Sequence, residues 1–241
     1  MTRGRGSRIT LMLGALALST AAEAAAPTIF ANAETTQTVR TVLVLSLMAI
    51  IPSLLICTTS FVRIVVVLSM IRHALGMPET PPNSVIVSLA LFLTVLSTGP
   101  ALQAVAENGV QPFLDGRISI DQALERGSAP LRGFMLRQVR DKDLQTVYEI
   151  ARKPLPDQAA DVGTLELIPA FMLNELRTAF TIGFAILLPF LLVDLVVSAV
   201  LLSLGMLMVP PATISLPLKI LMFVVIDGWG LILKGVLGSF S

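Results

Sequence analysis

Four stretches of this chain, residues 41–62, 80–106, 178–193 and 195–218, contain no Asp, Glu, Lys or Arg. Most approach the roughly 20 residues that a helix needs to cross hydrocarbon. A chain with such runs has to bury its backbone polar groups inside helices or a closed barrel. Two of the runs are broken by a proline pair, at Thr80-Pro81-Pro82-Asn83 and at Met206-Leu207-Met208-Val209-Pro210-Pro211. Because a proline pair cannot continue a helix, Pro81, Pro82, Pro210 and Pro211 mark hairpin tips between apolar helices. The second tip carries methionines where a soluble loop carries charge. The expected fold is all-α: membrane-associated helical hairpins with a small helical extramembrane subdomain.

Composition agrees. Hydrophobic residues make up 54% and charged residues 14% of the 241, against about one quarter charged in an ordinary soluble domain, and mean hydropathy is +0.83. The first 24 residues resemble a cleavable secretory signal: Arg3, Arg5 and Arg8, then the apolar core Ile9 to Leu18, then Ala22-Glu23-Ala24. An uncleaved first helix is the alternative. Without this segment 14 basic residues face 15 acidic ones, from 17 and 16 in the whole chain, so no nucleic-acid partner is implied. Cys57 is the sole cysteine, which leaves no intramolecular disulfide and suggests a small buried hydrophobe.

After a linker over 25–41, the first apolar hairpin is expected over 42–105, an extramembrane helical block over 106–166, and a second apolar hairpin over 167–241. Residues 42–71 as one helix would extend about 45 Å, longer than the roughly 30 Å hydrocarbon core, so the segment must tilt, kink at Pro52, or leave the membrane. Gly99-Pro100 is expected to bend or end the next helix. In the polar block, Leu131, Phe134, Met135 and Val139 recur at helical spacing while Arg132, Arg137 and Arg140 fall on other faces, which predicts an amphipathic helix. Two helices, over about 170–205 and 214–238, should flank the second tip.

Several charges interrupt the apolar helices: Arg63, Glu175, Arg177, Asp194, Lys219, Asp227 and Lys234. A charge at a bilayer centre costs roughly 2.5–3.5 kcal/mol, so these groups should face protein, water or an interface. A structural ion pair, Arg63 with Asp194 or Asp227, is one reading; a proton-carrying carboxylate is the other. No catalytic centre emerges. One histidine and one cysteine leave a zinc site or a cysteine–histidine pair short of members, and no glycine-rich phosphate loop with a following lysine is present. No cofactor is expected.

Thr59 to Leu75 reads TSFVRIVVVLSMIRHAL and leads to TPPN; Ala129 to Leu144 reads APLRGFMLRQVRDKDL. Ile168 to Gly205 reads IPAFMLNELRTAFTIGFAILLPFLLVDLVVSAVLLSLG, and 206–229 read MLMVPPATISLPLKILMFVVIDGW. Taken in order these segments resemble the FliP family, the P subunit of the flagellar protein-export gate, which has relatives in virulence type III secretion. The resemblance implies a pentameric, helically arranged ring built with the Q and R export-gate subunits and other export apparatus proteins. That ring encloses a path for unfolded flagellar export substrates at the bacterial inner membrane, in the flagellar basal body. It also implies helices raised largely out of the bilayer plane, which suits prolines and charges inside apolar stretches.

By the same resemblance Met206, Leu207 and Met208 occupy the family's sealing gasket, where three successive methionines are commonest. Leucine at the centre keeps apolar volume and is stiffer. A tip that merely dips into lipid is the other reading. Asn174 stands where serine is usual, and Lys234 where relatives carry a small or apolar residue. The stretch around Phe134 and Arg137 matches a region that contacts neighbouring subunits. Against the export gate stands a proton-coupled or ion-conducting membrane protein using Asp194 or Asp227. The signal segment favours the flagellar over the virulence branch.

Overall fold

The computed structural model describes residues 42, 45, 46, 49, 50 and 52–240. The signal segment, the linker 25–41 and Ser241 lie outside the described residues. The chain divides into two compact units, Met1–Ser53 and Leu54–Ser241.

Among the described residues there is no strand. The helices of the second unit are α1 (Phe61–Ala74), α2 (Asn83–Val105), the short α3 (Gln111–Leu114), α4 (Ile120–Gln138), α5 (Asp141–Ala151), α6 (Thr164–Ser203), α7 (Pro211–Val225) and α8 (Gly228–Gly238). Two of them are long and apolar enough to cross a membrane: the continuous helix Asn83–Leu114 and α6. The number rises to four if each bent pair of helices counts as one span.

The first bend among the described residues lies beyond Pro52. The helical turn ending at Thr58 meets α1 at 78°, across Thr59-Ser60. The hydroxyls of Thr58 and Thr59 turn back onto the carbonyls of Leu54 and Leu55, at 2.8 and 2.6 Å. Ser60 then pairs with Ser97 Oγ and, at 3.0 Å, with Thr98 Oγ1 on α2. This run of hydroxyls supplies local partners for a helix end that would otherwise be buried unsatisfied. Cys57 is half-buried there, more exposed than a core hydrophobe.

Gly99-Pro100 neither ends nor breaks α2, which runs on to Val105 and passes through one π-helical turn, Ala106–Val110, into α3. The π turn brings Gly109 against α4: a Cβ there would lie 2.9 Å from the Ala123 carbonyl oxygen and 3.0 Å from Gly127 Cα. Both obstacles are backbone, so nothing can swing aside. Gly109→Ala is therefore expected to lower stability by about 1–3 kcal/mol, the usual range for overpacking. A thermal melt of the extracted protein checks this, and an unchanged midpoint would show that α4 can retreat from the π turn.

The polar block holds α3, α4 and α5, and the stretch predicted to be amphipathic forms the end of α4. α4 starts at a reciprocal cap in which Ser119 Oγ accepts from Gln122 N and Gln122 Oε1 accepts from Ser119 N, both at 3.4 Å. α5 ends at Arg152, whose φ of 55° is left-handed. Near this end Lys153 Nζ donates to Glu166 Oε1 at 2.6 Å, and that hydrogen bond raises the lysine pKa above its ordinary value.

Two apolar cores result. In the first, Ile64, Val67, Leu68 and Ile71 present one face of α1 to Ile86, Ala90 and Leu93 of α2, with Ala179 and Phe190 of α6, Phe223 of α7, and Ile232 and Val236 of α8. α1 packs most extensively on α6. In the second, Phe134 and Met135 of α4 meet Tyr148 of α5 and Leu167 and Phe171 of α6. α6 starts at Thr164, some six residues before the apolar run suggests, and so serves both cores.

Candidate functional site: the second hairpin tip and the buried charges

α6 closes on Leu204-Gly205-Met206. Gly205 has φ +73°, its N–H bonds to Leu202 O at 3.1 Å and that of Met206 to Leu201 O at 3.0 Å. This pair of bonds is a Schellman cap, for which a glycine at the left-handed position is the natural residue. Thr213 N bonds to Pro210 O as α7 begins, with Pro211 at its first position, where a missing N–H costs nothing. Between the caps Met206 is exposed, Leu207 is 76% exposed and Met208 95% exposed. Three consecutive apolar side chains thus project from the end of a 40-residue helix into open space.

The first tip is built in the same way. Gly76 has φ +76°; its N–H bonds to His73 O and that of Met77 to Arg72 O. Arg72 Nη1 then donates to Asn83 Oδ1 at 2.6 Å across the tip. Leu75-Gly76-Met77 precedes Pro81-Pro82 by the spacing at which Leu204-Gly205-Met206 precedes Pro210-Pro211. This shared pattern is a sequence signal that reading the prolines alone misses. The tips differ in their middles, Pro78-Glu79-Thr80 against Leu207-Met208-Val209, so only the second presents an apolar end.

The charges pair otherwise than expected. Arg63, 1% exposed, pairs with the fully buried Glu175 and with neither Asp194 nor Asp227. Nε donates to Glu175 Oε2 at 2.9 Å, Nη2 to Glu175 Oε1 and to Gln138 Oε1 at 3.3 Å, and Nη1 to Ser239 O and Ser239 Oγ at 2.8 and 2.9 Å. All five N–H groups of the guanidinium therefore find acceptors, the condition under which a charge can sit in a dry interior. Asn174, the departure from serine, donates from Nδ2 to Gln138 O at 2.8 Å and so ties α6 to the end of α4.

Asp194 is half-exposed and accepts from Lys219 Nζ at 2.6 Å, a pair that clamps α6 to α7 and whose lysine is buried. Arg177 donates to the buried Asp143 at 2.7 Å and links α6 to α5. Asp227 is a different case: it is exposed, has a left-handed φ of 52°, and accepts from Gly230 N at 3.4 Å as the N-cap of α8. The expected continuous helix over 214–238 is in fact broken there, with a 66° bend between α7 and α8. Asp227 is a capping residue, not a buried ion-pair member. Asp227→Ala is expected to lower stability by about 2–3 kcal/mol, the lost cap and the left-handed backbone adding, and Asp227→Asn by less, since asparagine also caps and tolerates the left-handed region. Chemical denaturation of both variants measures this, and a loss of several kcal/mol for the asparagine variant would show that the charge itself is needed.

Phe134, expected at a subunit interface, is 5% exposed and stands edge-on to Phe171, ring centroids 5.9 Å apart. It packs inside its own chain. Arg137, three residues on, is exposed. The apolar face of α4 turns inward, and its charged face is the one left open. Lys234 is exposed on α8. Among the described residues no group of three His, Cys, Asp or Glu side chains could hold a metal ion.

The sequence model of the FliP family matches residues 44–236. The flagellar biosynthetic protein FliP of Pectobacterium carotovorum is 47% identical over 205 residues, 85% of this chain and 80% of that protein. Its namesake in Caulobacter vibrioides is 44% identical over 207 residues, 86% of this chain and 78% of the relative. That in Bacillus subtilis is 43% identical over 203 residues, 84% and 92%. The matched region holds both hairpin tips, the buried Arg63–Glu175 pair and the block between them, and at this identity over this length the chain belongs to the FliP family.

Proposed function

We propose that this chain is a core subunit of the flagellar protein-export gate, in the inner membrane at the flagellar basal body. There it forms, with further copies of itself and the Q and R subunits, the entrance through which unfolded flagellar proteins leave the cell. Family membership and relatives named as flagellar biosynthetic proteins support the flagellar role. The observation that carries the gate reading is the tip Met206-Leu207-Met208, apolar and exposed at the end of the 40-residue α6. Exposed apolar groups of this size are stabilised by being covered, and identical tips converging on one axis would cover one another. Methionine is unbranched and deformable, so such a plug can yield to a passing chain and close behind it.

The test is complementation together with assembly. In a Pectobacterium carotovorum strain stripped of its own FliP, this chain should restore secretion of flagellar proteins and filament growth. Co-expressed with Q and R subunits it should enter one complex on native electrophoresis, and alone in liposomes it should pass no ions. Ion flux from the isolated chain, without complementation, would instead favour a conductor built on the Asp194–Lys219 pair.

A further inference from the structure

Phe240 occupies an unusual place. It packs against the first apolar core and also against the second, the one described residue common to both. The Arg63 guanidinium carbon lies 3.9 Å from the centre of its ring, and Gln138 Nε2 donates to its carbonyl oxygen at 3.2 Å. Ser239 beside it supplies two of the five acceptors around Arg63, and its own hydroxyl is fixed by Val236 O at 2.6 Å. Residues just beyond α8 therefore complete a buried site whose other members come from α1, α4 and α6.

We propose that Ser239 and Phe240 are positioning residues, a latch that locks α8 over the Arg63–Glu175 pair and so sets where the α7–α8 arm lies. The arm needs such a fixture. It is bent by 66° at Ile226-Asp227, where Asp227 is exposed, and on the other side of the bend Lys219 and Ser215 of α7 both bind Asp194 of α6. The Met206-Leu207-Met208 tip immediately precedes α7. One clamp holds α7 on the tip side of the bend and the latch holds the far end, so without the latch α8 rests on the apolar packing of Ile232 and Val236 and opens more readily at the bend. For the gate the inference rests on the function proposed above, but the latch itself is a property of the single chain.

The latch is tested on the full chain in detergent by amide hydrogen exchange, which reads local opening helix by helix. Phe240→Ala removes the ring from the cation and from both cores. It is expected to speed exchange of the amides in Gly228–Gly238 by about 30-fold, the effect of losing a desolvated cation–ring contact, while leaving Asp141–Ala151 unchanged. Phe240→Tyr keeps the ring and should restore parental rates, and Ser239→Ala, which removes one acceptor of two, should fall between. Unchanged exchange in α8 for Phe240→Ala overturns the proposal. So does equal acceleration in α4 and α5, which would make Phe240 an ordinary packing residue of the whole fold. Neither result bears on whether the chain is an export subunit, because complementation measures that separately.

Discussion

Glu175→Ala is expected to remove most of the folded chain. The substitution leaves the Arg63 guanidinium buried at 1% exposure with its two carboxylate acceptors gone, and breaking a buried pair from one side costs about 3–5 kcal/mol. That is a large share of the stability of any single domain, which lies near 5–15 kcal/mol. Glu175→Gln keeps an acceptor and the shape but loses the charge, so it should retain part of the yield. Arg63→Met with Glu175→Leu removes both charges, yet recovery should be partial, because Ser239 and Gln138 still present acceptors that have lost their donor. The measurement is the protease-resistant fraction of the extracted chain together with its melting midpoint. Parental values for Glu175→Ala would mean that water reaches Arg63, and the closed five-acceptor site would then be wrong.

The asymmetry between that site and Asp227 explains what the sequence could and could not tell. Both residues are charges interrupting an apolar run, and insertion cost alone treats them alike. What separates them is local chemistry in one case and distant chemistry in the other. Asp227-Gly228 is a turn and capping signal readable in place, but the strong hydropathy on both sides hid it inside a helix expected over 214–238. The Arg63–Glu175 pair joins positions 112 apart in sequence, and no periodicity carries such a pairing. The choice among Glu175, Asp194 and Asp227 as partner lies in how α1 packs on α6. Phe134 shows a related limit. A helical apolar stripe says that a face will be buried without saying whether the cover comes from the same chain or a neighbour, and here Phe171 of α6 supplies it. Local signals fared better: the proline pairs mark both helix starts, and the Ser119-Ile120-Asp121-Gln122 capping box, seen only in the structure, is also written locally in the sequence. The repeated Leu-Gly-Met ahead of each proline pair, once seen, explains both helix ends.

If this chain builds the export gate proposed above, replacing Met206, Leu207 and Met208 together by alanine is expected to leave assembly near normal while making the closed gate leak. The three side chains contact little of their own chain, as the exposure of Leu207 and Met208 shows, so their loss leaves both cores and all the ion pairs intact. Surface changes of that kind usually alter stability by no more than about 0.5 kcal/mol. In a ring the same truncation is repeated by every copy around one axis, so a change that is minor per chain removes most of the apolar plug at once. The Schellman cap at Gly205 and the proline start at Pro211 remain, and the hairpin still turns in place. Leu207→Met nearly conserves volume and should behave as the parent. Substituting Leu207 with aspartate should act differently, since like charges converging on one axis repel and assembly itself should fall. The decisive measurement is uptake of a small dye or ion by cells carrying the triple variant, at matched abundance of the complex. A several-fold rise over the parent is expected if tips from every subunit meet. Unchanged permeability with a normal complex would place the closure on another subunit and leave this tip a packing contact.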